Sequence, residues 1–134
     1  GSAQVRAMRQ VAGKLRLDMA SYRELAAFAL MSSDLDKSTQ AQLRRGQRMQ
    51  EILKQPQYEP LSLADQVIII YAGTNGYADQ VAIDRMRSWE TALLRFMETS
   101  HPEIGKDIAE KKEITKENEA RLKEALEAFG NTWQ

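Results

Sequence analysis

The sequence has no cysteine, a single histidine and no excess of either charge, with nineteen Lys and Arg against nineteen Asp and Glu. Without cysteine there is no disulfide staple and no thiolate to bind a metal, so the fold must rest on its core. The lone histidine, His101, stands beside Pro102 with no second histidine to share a metal, and reads as a helix-end residue. Balanced charge disfavours wrapping nucleic acid or lying on an anionic membrane. No apolar run approaches the ~20 residues that span a bilayer, and the first residues carry no signal-peptide pattern. The expectation is a soluble chain with no direct membrane insertion. A glycine-rich phosphate loop is missing too, because Gly73 and Gly76 lack the following lysine and hydroxyl residue. No catalytic constellation and no metal site emerge.

What the chain does contain is helical periodicity. Its 134 residues suit one domain, residues 1–134, around one core. Val5, Met8, Val11 and Ala12 predict a helix from Ala3 to about Lys14, which Gly13 ends or bends. Leu15, Tyr22, Leu25, Ala26, Phe28 and Ala29 form a second stripe, with Ser21 and Glu24 spaced as a capping box. Asp36 is placed to cap a helix over Lys37 to Gln55 that buries Leu43, Met49, Ile52 and Leu53. Pro56 and Pro60 stop that helix.

Val67–Ile68–Ile69–Ile70–Tyr71 has the propensity of a strand, but no partner strand exists and Ser62 with Asp65 reads as a helix start. A buried helix ending near Ala72 is therefore expected, with a turn through Gly73 and Asn75–Gly76. Ile83, Met86, Leu93, Leu94 and Met97 predict another helix, closed at His101–Pro102. A short helix follows around Ile104 and Ile108. Thr115 caps a last one carrying Leu122, Leu126 and Phe129, stopped at Gly130. The fold class is all-α: a compact bundle of about six or seven short helices.

Three places invite a functional reading. Gln55 and Gln57 put two primary amides on a short turn, where they either decorate an exposed loop or read the edge of a flat heterocycle such as adenine. Ser33, Asp34, Leu35 and Asp36 form a turn plus a cap, and also an acidic tip between two long helices. Arg44, Arg45 and Arg48 either line a solvated helix face or touch phosphate; without interleaved aromatics the solvated face is favoured. The six methionines are spread as core filler, and the alternating charges from Glu110 to Glu127 suit a solvated helix. On residues alone, a stand-alone helical adaptor for a partner helix and a nucleic-acid binder built on the three arginines both stay open.

Several ordered words then narrow the field. Val11–Ala12–Gly13–Lys14–Leu15–Arg16–Leu17–Asp18 is followed by Tyr22–Arg23–Glu24–Leu25–Ala26–Ala27–Phe28–Ala29 and Ser33–Asp34–Leu35–Asp36. Gln42–Leu43, Arg45–Gly46–Gln47–Arg48, the turn from Ile52 to Tyr58 and Tyr71–Ala72–Gly73–Thr74–Asn75–Gly76–Tyr77 come next. This succession resembles the carboxy-terminal domain of the alpha subunit of F-type, proton-translocating ATP synthase, densely to Tyr77 and more loosely beyond. Leu30, Met31 and Ser32 depart from the glutamine, phenylalanine and small residue common there.

The resemblance implies a helical domain with no catalysis of its own inside a complex that couples proton flow to ATP synthesis or hydrolysis. It implies beta subunits as neighbours in an alternating ring, the gamma subunit as central shaft, and the epsilon subunit as a further candidate partner. Ser33, Asp34, Leu35 and Asp36 would face the shaft. Gln55 and Gln57 would close over the adenine of a non-catalytic nucleotide, ATP or ADP with Mg, only in the full alpha subunit; the isolated domain would bind no cofactor. The phosphate loop and the arginine that completes a neighbouring catalytic site would lie upstream of Gly1. The location implied is peripheral to an energy-transducing membrane, on its cytoplasmic or equivalent face.

Overall fold

The run Val67–Tyr71 is helix. In the computed structural model, which describes residues 5–30, 35–54 and 61–133, it forms the middle of α3 (Leu63–Thr74). Around it stand α1 (Arg6–Ala29), α2 (Lys37–Leu53), α4 (Met86–Ser100), α5 (Pro102–Lys111) and α6 (Lys116–Thr132), with one 3-10 turn at Ile83–Arg85. Among the described residues there is no strand, and the expected all-α bundle is what forms. The β-branched row is tolerated as helix because nearly every side of α3 is covered. Val67, Ile68, Ile69 and Ala72 are all essentially inaccessible, and α1, α2, α4 and α5 each pack on this helix. Burial of that extent outweighs a few tenths of a kcal/mol per residue of unfavourable helix propensity.

Local chemistry fixes the helix starts. The side chains of Asp36, Ser62 and Thr115 accept from the backbone N–H of Thr39, Asp65 and Asn118, at 2.7, 3.2 and 3.1 Å. Pro102 opens α5, where its missing N–H costs nothing. Lys112, in the left-handed region, closes α5, and its carbonyl accepts from Ala7 N–H at 2.8 Å.

Two glycines set the helix crossings. A Cβ on Gly46 would collide with the Tyr22 ring, so α2 lies hard against α1 there. A Cβ on Gly73 would fall 2.7 Å from Ile52 Cδ1, so α3 lies as close to α2. The core then spreads from Met49 and Ile52 through α3 to Trp89, Leu93, Ile104, Ile108, Leu122 and Leu126. Trp89, Phe96, Phe129 and Trp133 pack ring against ring at its α4–α6 edge.

Several expectations need correction. Gly13 does not end a helix: α1 runs unbroken through it for 24 residues. Ser21 and Glu24 consequently lie inside α1 and cap nothing. Gly73 belongs to α3, which ends two residues later than expected, and α6 continues past Gly130 to Thr132. Of the α2 residues expected in the core, Leu43 is only half-buried and Leu53, the last residue of α2, is 53 % exposed beside an unfilled cavity.

Candidate functional site

Of the tip residues, Leu35 and Asp36 are described, while Ser33 and Asp34 lie outside the described residues. Asp36 is exposed, and the hydrogen bond from Thr39 holds its carboxyl below the usual carboxylate range. The leading edge of α2 thus keeps a fixed negative charge, favourable at a helix N-terminus. Across the tip, Phe28 is 56 % and Leu30 is 90 % exposed. The two flanks of the tip therefore carry exposed apolar side chains on α1 and an acid at the start of α2.

Gln55 and Gln57 also lie outside the described residues, but both flanks of their turn are on view. On the entry side Lys54 Nζ meets Glu51 Oε2 at 2.9 Å. On the exit side Ser62 caps α3, and Gln66 Nε2 reaches back to the Leu61 carbonyl at 2.9 Å. A cavity of about 130 Å³ lined by Ile52, Leu53, Gln66, Ile69 and Ile70 opens between the two helix ends. Nearby on α4, Glu90 is partly buried, and desolvation pushes its carboxyl up to about 7, with Arg87 opposing and Glu51 adding to the shift.

The two loops leave by the same device. Before α2 the order is Leu35, the cap Asp36, then Gln40, whose Nε2 donates to the Leu35 carbonyl at 2.9 Å. Before α3 it is Leu61, the cap Ser62, then Gln66 donating to Leu61. Each cap satisfies one orphan N–H of its helix, and each glutamine ties down the carbonyl just outside it.

The basic cluster resolves differently from a uniformly solvated face. Arg44 is exposed, but Arg45 donates twice to Asp79, through Nε at 3.3 Å and Nη2 at 2.9 Å. That bidentate contact raises the Arg45 pKa. Arg48 Nε donates to the Val81 carbonyl at 2.9 Å, and desolvation lowers its pKa. Two of the three arginines thus pin α2 to the 79–81 segment. Asp79 lies 34 residues from Arg45, so no local pattern marked the pair.

No group of three or more His, Asp or Glu among the described residues could hold a metal. The His101 ring packs on Phe96 with 5.3 Å between centroids, and its Nδ1 lies 3.7 Å from Glu103 Oε1. The Tyr71 hydroxyl donates to Glu119 at 2.8 Å, and burial followed by that carboxylate drives its pKa far up, the reverse of an activated nucleophile. A cleft of about 390 Å³ between α3, α4 and α5 has Asp65, Glu98, His101 and Lys106 on its rim and Ile68 and Met97 below. Burial raises the Asp65 carboxyl; a side-chain hydrogen bond with Ser62 opposes this, and Glu98 adds to the rise.

The fold and its loops define a small all-α domain with a buried central helix, a projecting hairpin and two capped loops at the ends of α2. A family model described as "ATP synthase alpha/beta chain, C terminal domain" matches residues 4–129, and the chain belongs to that family. It is 56 % identical over 129 residues to the ATP synthase subunit alpha of Desulforudis audaxviator (strain MP104C), covering 96 % of this chain. The likeness is therefore to the alpha form of the domain. The chain spans about a quarter of that relative's length. No helix among the described residues is long and apolar enough to cross a membrane.

Proposed function

We propose that this domain serves as a brace at the end of an ATP synthase alpha chain, within a ring of alternating alpha and beta chains around a gamma shaft. Its hairpin tip, Ser33 to Asp36, faces the shaft, and Gln55 and Gln57 close over the adenine of a nucleotide whose phosphates and Mg the rest of the alpha chain holds. The complex couples proton flow to ATP synthesis or hydrolysis, while this block supplies no reactive group.

The observation that carries the reading is the placement of α2. Its N-terminus opens into the tip and its C-terminus into the glutamine turn, with 17 residues, roughly 25 Å, of continuous helix between them. The Arg45–Asp79 contact, the Arg48–Val81 bond and the two glycine crossings hold its second half against the core. A rod so fixed sets the distance between a shaft contact and a nucleotide contact. The match to an alpha chain over nearly the whole sequence supports this role against a free-standing adaptor. The internal use of Arg45 and Arg48 weakens the nucleic-acid reading.

The turn alone offers only a few water-exposed hydrogen bonds, each worth about 1 kcal/mol net, less than association costs. Titration calorimetry of this chain with Mg-ATP should therefore show no binding, and micromolar affinity would overturn the assignment. In a full alpha chain carrying this domain, replacing both glutamines by alanine should weaken non-catalytic nucleotide binding by about tenfold or more. Unchanged occupancy would remove the adenine role.

A further inference from the structure

α1 buries Ala7, Val11, Ala12 and Met19 and packs on α2 and α3. Its opposite side carries a repeat. Arg9, Arg16 and Arg23 follow one another at seven-residue intervals, and Gly13, Ala20 and Ala27 stand four residues after each. Seven residues are close to two helical turns, so the arginines form one row about 10 Å apart, with the small residues in a second row beside it. All three arginines are exposed, as are Ala20 and Ala27, and a Cβ on Gly13 would meet no atom.

The charge of this side is not matched within the chain. From Arg9 to Ala27 it carries four exposed cations, Arg9, Lys14, Arg16 and Arg23, against one exposed acid, Glu24. The later helices behave otherwise: Lys111 pairs with Asp107, Arg121 with Glu117 and Lys123 with Glu119, each one turn away. Arg9 is already engaged, but Arg16 and Arg23 make no hydrogen bond or ion pair with any described residue. The residues three and four places from them are Ala12, Gly13, Met19, Ala20, Ala26 and Ala27, so α1 offers neither of them an acid.

We propose that this side of α1 docks an acidic helix of a partner protein, laid along α1 with carboxylates at the same seven-residue interval. Such carboxylates repeat at the ~10 Å of the arginines, and a guanidinium can grip each one bidentately. The rows resemble the flanking and seam positions of a two-helix coil, where charges choose the partner and small seam residues let it come close. A second copy of this chain fits badly, because its rows would set arginine against arginine or Lys14. Nucleic acid also fits badly: the chain has no net charge, and no aromatic side chain interrupts the row. Neither the Ser33–Asp36 tip nor the Gln55–Gln57 turn takes part, so the surface stands independently of the function proposed above.

The test is an NMR titration of the isotopically labelled chain with alanine-based helical peptides. One bears glutamate at every seventh position, an isomer bears the same glutamates at every fifth, and a third has lysine at every seventh. The first should shift the backbone amides of Gly13, Arg16, Ala20 and Arg23 saturably, with a Kd below about 1 mM and at least about tenfold tighter than the isomer. Added salt should weaken it. Arg16→Glu combined with Arg23→Glu, both at exposed positions, should lose the glutamate peptide and gain the lysine one. Ala20→Trp, which keeps every charge but blocks close approach, should weaken binding about tenfold. Absence of saturation, equal binding of the isomer, shifts confined to other helices, or no exchange of preference in the double variant overturns the proposal. Tighter binding of a single-stranded DNA oligonucleotide or of phosphatidylserine vesicles overturns it too, because the row would then serve a polyanion.

Discussion

The outer half of the α1–α2 hairpin and the block built on α3 obey different rules. Every buried residue of α1 falls at or before Met19, and every buried residue of α2 falls at or after Gly46. The last ten residues of α1 and first nine of α2 therefore form an arm roughly 15 Å long, tied back to the block only at its base by Tyr22 and Arg45. In α3, by contrast, eight of twelve residues are buried. The block is held by apolar burial and the arm by helix propensity, one cap and contact between its two helices. Position thus governs the cost of a substitution more than residue type does.

The contrast breaks most sharply under truncation. Ile68→Ala in α3 should cost about 3–4 kcal/mol in chemical denaturation, whereas Leu30→Ala at the tip should stay within about 0.5 kcal/mol. Comparable losses at both positions would show that the arm is packed after all. Next in size is the hinge line between the regions. Gly46→Ala gains up to about 1 kcal/mol of helix propensity but drives a methyl into the Tyr22 ring, so a net loss of about 1–2 kcal/mol is expected in thermal melts. Pairing it with Tyr22→Ala should recover part of that loss.

Acid–base linkage sharpens the comparison from the block side. Desolvation pushes the Glu90 carboxyl up to about 7 in the folded chain, from an ordinary value of 4.5. The folded state therefore binds this proton more tightly than the unfolded state does. The resulting stabilisation is complete below pH 4.5, falls as pH rises toward 7 and is lost above it. Glu90→Gln should match the parent at pH 4 and exceed it at pH 8, by about 1 kcal/mol after allowing for solvent screening. A difference independent of pH would sink that account. The smallest effect belongs to the arm: Asp36→Ala should speed amide exchange in the first turn of α2 and leave α3 protection unchanged.

Most of the architecture was legible because it is local. Caps at Asp36, Ser62 and Thr115, the proline at the start of α5 and the periodicity of α4 and α6 are all written within four or five residues of where they act. The helix at Val67–Tyr71 was legible by elimination, since an unpaired strand cannot satisfy its backbone. What could not be read is long-range. Arg45 finds Asp79, Tyr71 finds Glu119, and Asn118 Nδ2 donates to the Ile104 carbonyl. Residue type alone cannot tell such pairs from solvated polar side chains. Gly13 misled for the opposite reason: a helix-weakening residue is overruled when Val11, Ala12 and Met19 bury on both sides of it. Of the candidate site, the cap at Asp36 was legible from its place just before Lys37.

One contact joins two segments far apart in sequence. The Gln10 side chain accepts from the Ile114 N–H at 2.8 Å and donates to the Ile114 carbonyl at 3.1 Å, closing a span of 104 residues with one amide. Together with the Ala7–Lys112 bond, it fastens the opening turns of α1 to the threshold of α6. Losing the 112–114 segment would strip the first turns of α1 of their clasp, and loosening those turns would release that segment.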